Sequence, residues 1–300
     1  MKKEVNQEYV LLDSGDHEKL EQIGPYKIVR PAKYACYPKS LPNIWEANID
    51  AIYHRSPEGG GHWEYYSLVQ KQFPVRIGNF VCYARLTGFG HISFFPEHLP
   101  LWNLIQKLSI DKYQTVKVLN LFAYTGLSTI ACVKKGLSVC HVDSAKGMVE
   151  LAKENLKLNG FNDTEVRWIV EDVRKFVLRE KKRGRKYDAF ILDPPEFGRG
   201  TGNEIWKLEE HLQGLLNDIM ELCDGEPLFI FLSCYSSGFT PILLERILKS
   251  YVKNRGIFGK TELCITEYSG NIFPTNGSCS IFLSEKIISA DFDIESAFKH

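Results

Sequence analysis

The spacing of apolar and polar residues changes about a third of the way along the chain. Up to residue 110, short apolar segments at residues 9–12, 26–29, 51–54, 73–77, 80–86 and 91–95 alternate with clusters of Gly, Pro and Asn. That punctuation predicts short strands joined by tight turns, with Gly78-Asn79 as a two-residue hairpin loop. Pro96 then opens a stretch in which Leu99, Trp102, Leu104 and Ile105 fall at helical spacing, predicting an amphipathic helix to residue 108. From residue 116 the pattern becomes strand and helix in alternation. Strands are expected at 116–122, 137–142, 166–170, 189–192 and 228–232, and helices at 127–135, 145–158, 173–182 and 242–251, with further strands near 263–266 and 280–283. Strands separated by helices predict an α/β fold, a doubly wound parallel sheet whose ligand crevice lies at the carboxyl ends of its strands. The expected division is a smaller strand-rich substrate-recognition unit at 1–110 and a sheet domain at 111–300.

Composition narrows the class. Lysine plus arginine equals aspartate plus glutamate at 37 each, and residues 1–110 carry 12 basic and 11 acidic side chains, so neither part is a dedicated basic module. The apolar runs are far shorter than the ~20 residues of a membrane span, and the start is polar, so a cytoplasmic protein without a membrane partner is expected. Eight cysteines contain no Cys-x-x-Cys pair and the histidines show no ligand spacing, so no metal is expected.

The chemistry should lie just after each strand. After the first comes Phe122-Ala-Tyr-Thr-Gly126, a tight turn with one glycine; a dinucleotide or nucleoside triphosphate site would need the Gly-x-Gly-x-x-Gly or Gly-x-x-x-x-Gly-Lys pattern, and both are absent. One glycine suffices for a small uncharged or cationic ligand centre. Asp143 follows the second strand, where a carboxylate can accept both ribose hydroxyls. Glu171 and Asp172 follow the third, where an acceptor can meet an adenine amino group. Asp193-Pro194-Pro195-Glu196-Phe197 follows the fourth; its oxygens can take protons from an amine and its prolines stiffen a turn that offers Phe197 to a flat base. Each feature alone has a plain reading as a helix cap or a turn.

Together they carry a resemblance. Val118-Leu-Asn120-Leu-Phe122-Ala-Tyr124-Thr125-Gly126, Val142-Asp143-Ser144, Asn155-Leu-Lys-Leu-Asn-Gly160 and Asp193-Pro-Pro-Glu-Phe-Gly198 resemble class I S-adenosylmethionine-dependent methyltransferases. More narrowly, they are similar to the large-subunit ribosomal RNA cytosine-C5 methyltransferase I family and its shorter relatives. The likeness extends upstream through Leu12-Asp-Ser-Gly15, His54-Arg-Ser56, Gly59 to Gly61 with Trp63, and Gly88 to Glu97. It implies a Rossmann-like fold, S-adenosyl-L-methionine as cofactor, an RNA acceptor, and roles by position. Asn120, Phe122, Tyr124, Thr125 and Gly126 would serve the methionine end, Asp143 and Ser144 the ribose, Asp172 the adenine, and Asp193 to Phe197 the acceptor base. The chain departs from that family in two places: the additional amino-terminal RNA-binding domain is not recognisable in 1–110, and Ser233-Cys234-Tyr235-Ser236 stands where the family has Ser-Cys-Ser.

Two chemistries remain open at the acceptor. C5 methylation of a pyrimidine requires a thiolate to add at C6, and Cys234 stands where that nucleophile belongs; as a core cysteine it would leave direct displacement by an amine or hydroxyl. Six basic residues in the eight of Arg179-Glu-Lys-Lys-Arg-Gly-Arg-Lys186 could track phosphate or simply end a helix. A small-molecule methyltransferase and a catalytically idle cofactor-binding partner are the rival functions.

Overall fold

A computed structural model describes residues 8–46, 48–56, 59–111, 115–200, 204–289 and 292–294. The described residues form two compact units, one comprising those up to Leu99 with Cys264–Thr275, the other those of Pro100–Leu263 and from Asn276 onward. The first unit includes a later segment, Cys264–Thr275, that the sequence pattern does not announce.

In the first unit, β1 (Tyr9–Gly15), β2 (Glu18–Ile23), β3 (Tyr26–Pro31), β4 (Ala51–Arg55) and β5 (Gly61–Tyr65) form a sheet in that order. The strand β2 escapes the apolar pattern because it carries charge inward. Glu21 is buried within Arg30's fork, at 2.6 and 2.7 Å, and accepts Tyr9's hydroxyl at 2.8 Å. Strands β6 (Phe73–Ile77) and β7 (Phe80–Ala84) form the expected hairpin, with Gly78 at φ 54° in the loop. Residues 91–95 are not a strand. Ser93 adopts φ 70°, and the segment bends into a short 3-10 turn at Pro96–His98 and helix α1 (Leu99–Lys107), while Ile92 and Phe94 are buried without a ladder.

The second unit contains β8 (Lys117–Leu121), α2 (Leu127–Lys134), β9 (Ser138–Asp143), α3 (Lys146–Leu158), β10 (Val166–Val170), α4 (Val173–Lys182) and β11 (Ala189–Leu192). These are followed by the ribbon β12 (Phe197–Arg199) and β13 (Ile205–Lys207), then α5 (Leu208–Glu221), β14 (Phe229–Cys234) and α6 (Pro241–Tyr251). Long strands β15 (Gly256–Thr266) and β16 (Ile272–Ser284), whose Cys264–Thr266 and Ile272–Thr275 ends belong to the first unit, complete a seven-stranded sheet ordered β10-β9-β8-β11-β14-β16-β15. The five strands linked by helices are parallel, but β16 runs antiparallel to β14, so the sheet is mixed. The short connection between β15 and β16 cannot make the crossover that a parallel neighbour requires. Helix α5 and the ribbon lie outside the expected elements. Yet Leu208, Leu212, Leu215, Leu216, Ile219 and Met220 are buried at helical spacing and pack with Phe176, Leu244 and the β11 and β14 side chains.

Candidate active site

The strand order reverses at β8, and the residues following β8, β9, β10, β11 and β14 form one edge. The β8 turn is tightly bent: Phe122, Tyr124 and Gly126 lie in the left-handed region at φ 56°, 49° and 86°. Gly126 is required there twice over, because an added Cβ would also sit 2.8 Å from that of Ala152. Asp143 at the end of β9 holds this turn. Its Oδ2 accepts the Tyr124 N–H and its Oδ1 the Ala145 N–H, each at 2.8 Å. Burial raises the Asp143 carboxyl above its ordinary pKa while the two N–H bonds oppose the shift, and burial beside this carboxylate pushes the Tyr124 phenol up to about 12. Each carboxylate oxygen retains a second lone pair, so vicinal hydroxyls can still be accepted. Ser144 follows, half-buried.

Asn120 and Thr125 do not present their side chains to this edge; both are buried. Asn120 Nδ2 donates to Thr129 Oγ1 at 2.9 Å, and Thr129 Oγ1 lies 2.9 Å from His141 Nδ1, a polar chain beneath the turn. The Thr125 carbonyl accepts from the buried Asn155 side chain at 2.9 Å. Asp172 caps α4, its Oδ1 accepting the Lys175 N–H at 3.1 Å, and Glu171 is paired with Arg179. Val170, the residue before them, is an exposed apolar surface that the sequence pattern does not single out.

At the acceptor turn, Ser233 Oγ donates to Asp193 Oδ1 at 2.7 Å, linking the ends of β11 and β14. Pro194 is buried and Pro195 exposed, and the Pro195 carbonyl accepts the Trp206 indole N–H at 2.7 Å. The ribbon register opposes Phe197 to Lys207 and Gly198 to Trp206, so Phe197 and Trp206 occupy opposite faces. Trp206 is buried with its ring 4.8 Å from Phe122; Phe197 is 50% exposed and borders a cavity of about 290 Å³ with Glu196, Leu208 and Glu209. Trp206 is therefore the aromatic on the cofactor-turn side, and the sequence carries no signal for it. Cys234 ends β14 and is 1% exposed; burial pushes its thiol up to about 11, with the charges of Asp193 and Glu196 adding and the Ser236 N–H opposing.

These groups fit S-adenosylmethionine: carboxylates suit a cationic sulfonium centre, Asp143 retains capacity for hydroxyls, and Phe122 and Tyr124 offer apolar surface. No cluster of His, Cys, Asp and Glu able to hold a metal occurs among the described residues, and none of their helices is long and apolar enough to cross a membrane. Residues 103–234 match the S-adenosylmethionine-dependent methyltransferase family. The chain is similar to the crystal structure of a SAM-dependent methyltransferase from Agrobacterium tumefaciens, with 31% identity, 95% of this chain and 97% of that one covered, and a TM-score of 0.85. It is 30% identical over 151 residues, half of this chain, to ribosomal RNA large subunit methyltransferase K/L of Syntrophotalea carbinolica. It is 36% identical over 91 residues, 30% of this chain, to ribosomal RNA large subunit methyltransferase I of Aeromonas salmonicida. The chain spans only 20% and 23% of the length of these two curated relatives. With a solved relative 31% identical and matched over nearly its full length, this chain belongs to the S-adenosylmethionine-dependent methyltransferases.

Proposed function

We propose that this enzyme methylates a base of RNA, and that the transfer is a direct displacement onto nitrogen at the Asp193 turn. The observation that carries the reading is the Asp193 carboxylate, fixed by Ser233 at the end of β11 and able to hold the amine of a base, while Phe197, expected to stack on that base, lies on the ribbon face away from Trp206 and the β8 turn. The ribosomal RNA substrates named for the curated relatives support the class of acceptor. S-adenosylmethionine supplies the activated methyl group on its sulfonium sulfur. In this reading Asp143 holds the ribose, and Phe122 and Tyr124 flank the methionine end. Asp172 can turn its remaining lone pairs to the adenine amine, while Asn120 and Thr125 hold the turn from beneath. Asp193 and the Pro194 and Pro195 carbonyls would orient the amine lone pair in line with the methyl carbon, which would pass to nitrogen as its bond to sulfur breaks and S-adenosylhomocysteine leaves, with the proton of the nitrogen going to Asp193 or to water.

A second reading, cytosine-C5 transfer through a Cys234 thiolate, is favoured by the Ser236 N–H at the sulfur and by the residue's place at the strand end. Burial weighs against it, because a thiol near pKa 11 is about 10⁻⁴ ionised at neutral pH. Nucleoside mass spectrometry of ribosomal RNA from cells with and without the gene tests both. One methylated nucleoside should disappear and return with wild type and with Cys234→Ser, but not with Asp193→Ala. Loss of activity in Cys234→Ser, with a trapped adduct on 5-fluoropyrimidine RNA, would establish the thiolate route instead. Label from S-adenosylmethionine appearing only in small molecules would overturn the RNA reading.

A further inference from the structure

At the opposite end of the sheet from Asp143 and Asp193, a cavity of about 400 Å³ opens among Lys117, Ser138, Cys140, Arg167, Arg185 and Tyr187. Lys117 and Ser138 begin β8 and β9, Arg167 lies near the start of β10, and residues 184–187 connect α4 to β11. Among the described residues four cations line the cavity, Lys186 being the fourth, and no carboxylate does.

Two of the four charges are matched locally. Arg167 reaches Glu180 at 2.6 and 3.1 Å, and Lys186 reaches Asp224 at 2.5 Å. Lys117 and Arg185 form no ion pair among the described residues, though both are anchored at their backbones. The Lys117 N–H donates to Asp188 Oδ2 at 2.7 Å and the Arg185 N–H to the Glu180 carbonyl at 3.0 Å. Elsewhere in the basic run at 179–186, Arg179 pairs with Glu171 and Lys181 with Asp218 and Glu221, while Arg183, 3.6 Å from Glu180, shares that carboxylate with Arg167. Most of the run is a helix terminus, but Arg185, which forms no ion pair among the described residues, converges with Lys117, from 68 residues earlier in the sequence, on one concave surface.

We infer that this cavity binds a phosphate of the RNA backbone, at a nucleotide removed from the methylated one. The inference rests on the reading that the acceptor is RNA. Unpaired cations in a concavity gain most from an anion, and the Arg185 guanidinium can present two parallel donors to phosphate oxygens. Tyr187 and Asp193 are six residues apart, about 20 Å of extended chain, so the cavity lies clear of the methyl-transfer edge.

The test is fluorescence anisotropy of a labelled single-stranded RNA on the full protein across a salt series, with Lys117→Gln/Arg185→Gln beside wild type. Each cation removed from a phosphate should reduce the salt slope by about 0.7, so the double variant should bind roughly tenfold more weakly with a slope lower by about 1.4. Its melting temperature and S-adenosylmethionine affinity should match wild type. Wild-type RNA binding indifferent to both substitutions would overturn this inference and leave the RNA reading standing. Calorimetry with pyrophosphate is the second arm. Pyrophosphate bound by the wild type alone, with no RNA binding, would overturn the RNA assignment of the cavity together with the reading beneath it.

Discussion

The proposed site gives Asp143 two jobs with one side chain. It is the acceptor that fixes two backbone N–H groups beside the β8 turn, and it retains lone pairs that a ribose could use. Asp143→Ala should therefore weaken S-adenosylmethionine by about 2 to 3 kcal/mol, the scale of hydrogen bonds to a charged group, or roughly 30- to 150-fold. Because Tyr124 is held at a positive φ, the same variant should also melt earlier. Titration calorimetry and a thermal melt measure the two effects. Unchanged affinity would remove Asp143 from the cofactor site, and a melt lowered without loss of affinity would make it a turn residue only. Which carboxylate lies where is readable from the sequence, since each directly follows an apolar run. What else each carboxylate holds is not: the Tyr124 N–H and Ser233 hydroxyl become partners only once separate strand ends are adjacent.

Among the elements, the β8 turn rests on a buried polar chain that joins β8, α2 and β9 through Asn120, Thr129 and His141. A hydroxyl has one hydrogen. With Asn120 donating to it, the Thr129 oxygen donates to Nδ1, which places the imidazole hydrogen on Nε2, a buried atom with no hydrogen-bond partner among the described residues; the His141 and Trp168 ring centres are 4.8 Å apart. Burial lowers the His141 pKa from 6.5 to about 3, so the folded protein keeps it neutral while the unfolded chain takes up a proton below 6.5. A depressed folded pKa means stability that is complete above pH 6.5 and lost on acidification, at up to about 1.4 kcal/mol per pH unit. Between pH 6.5 and 4.5 the loss should stand apart from that of Glu21, whose pKa is lowered from 4.5 to about 2 and which acts only further into acid. Urea unfolding across this range should show a steeper decline for wild type than for His141→Gln; parallel declines would mean that His141 is not the group responsible. The sequence marks β8, α2 and β9 correctly by their apolar faces, but it cannot show which polar residues those faces bury together. Strand β2 goes unmarked for the same reason, its inward Glu21 having the look of a surface residue until Arg30 folds over it.

For the molecule as a whole, the pattern places the change of architecture near residue 110, and the compact units divide at Leu99. What linear reading cannot supply is the return of Cys264–Thr275 to the first unit. There Ile265 and Phe273 join Leu11, Ala32 and Ala35 in one apolar cluster, Ser14 hydrogen-bonds Glu267, and the Leu11 carbonyl accepts the Tyr268 N–H at 2.8 Å. A fragment ending at residue 110 would leave that cluster open and strand the buried Ser14 hydroxyl without its carboxylate. Removing Ile265 and Phe273 from water contributes about 1.5 to 3 kcal/mol each, a large share of the margin by which a domain of this size is stable. The fragment 1–110 should therefore melt broadly and at low temperature. The same fragment with 261–278 joined through a flexible linker should recover a cooperative transition. Circular dichroism melts of the two compare them directly, and a sharp transition in the unsupplemented fragment would show that the first unit folds without its late segment.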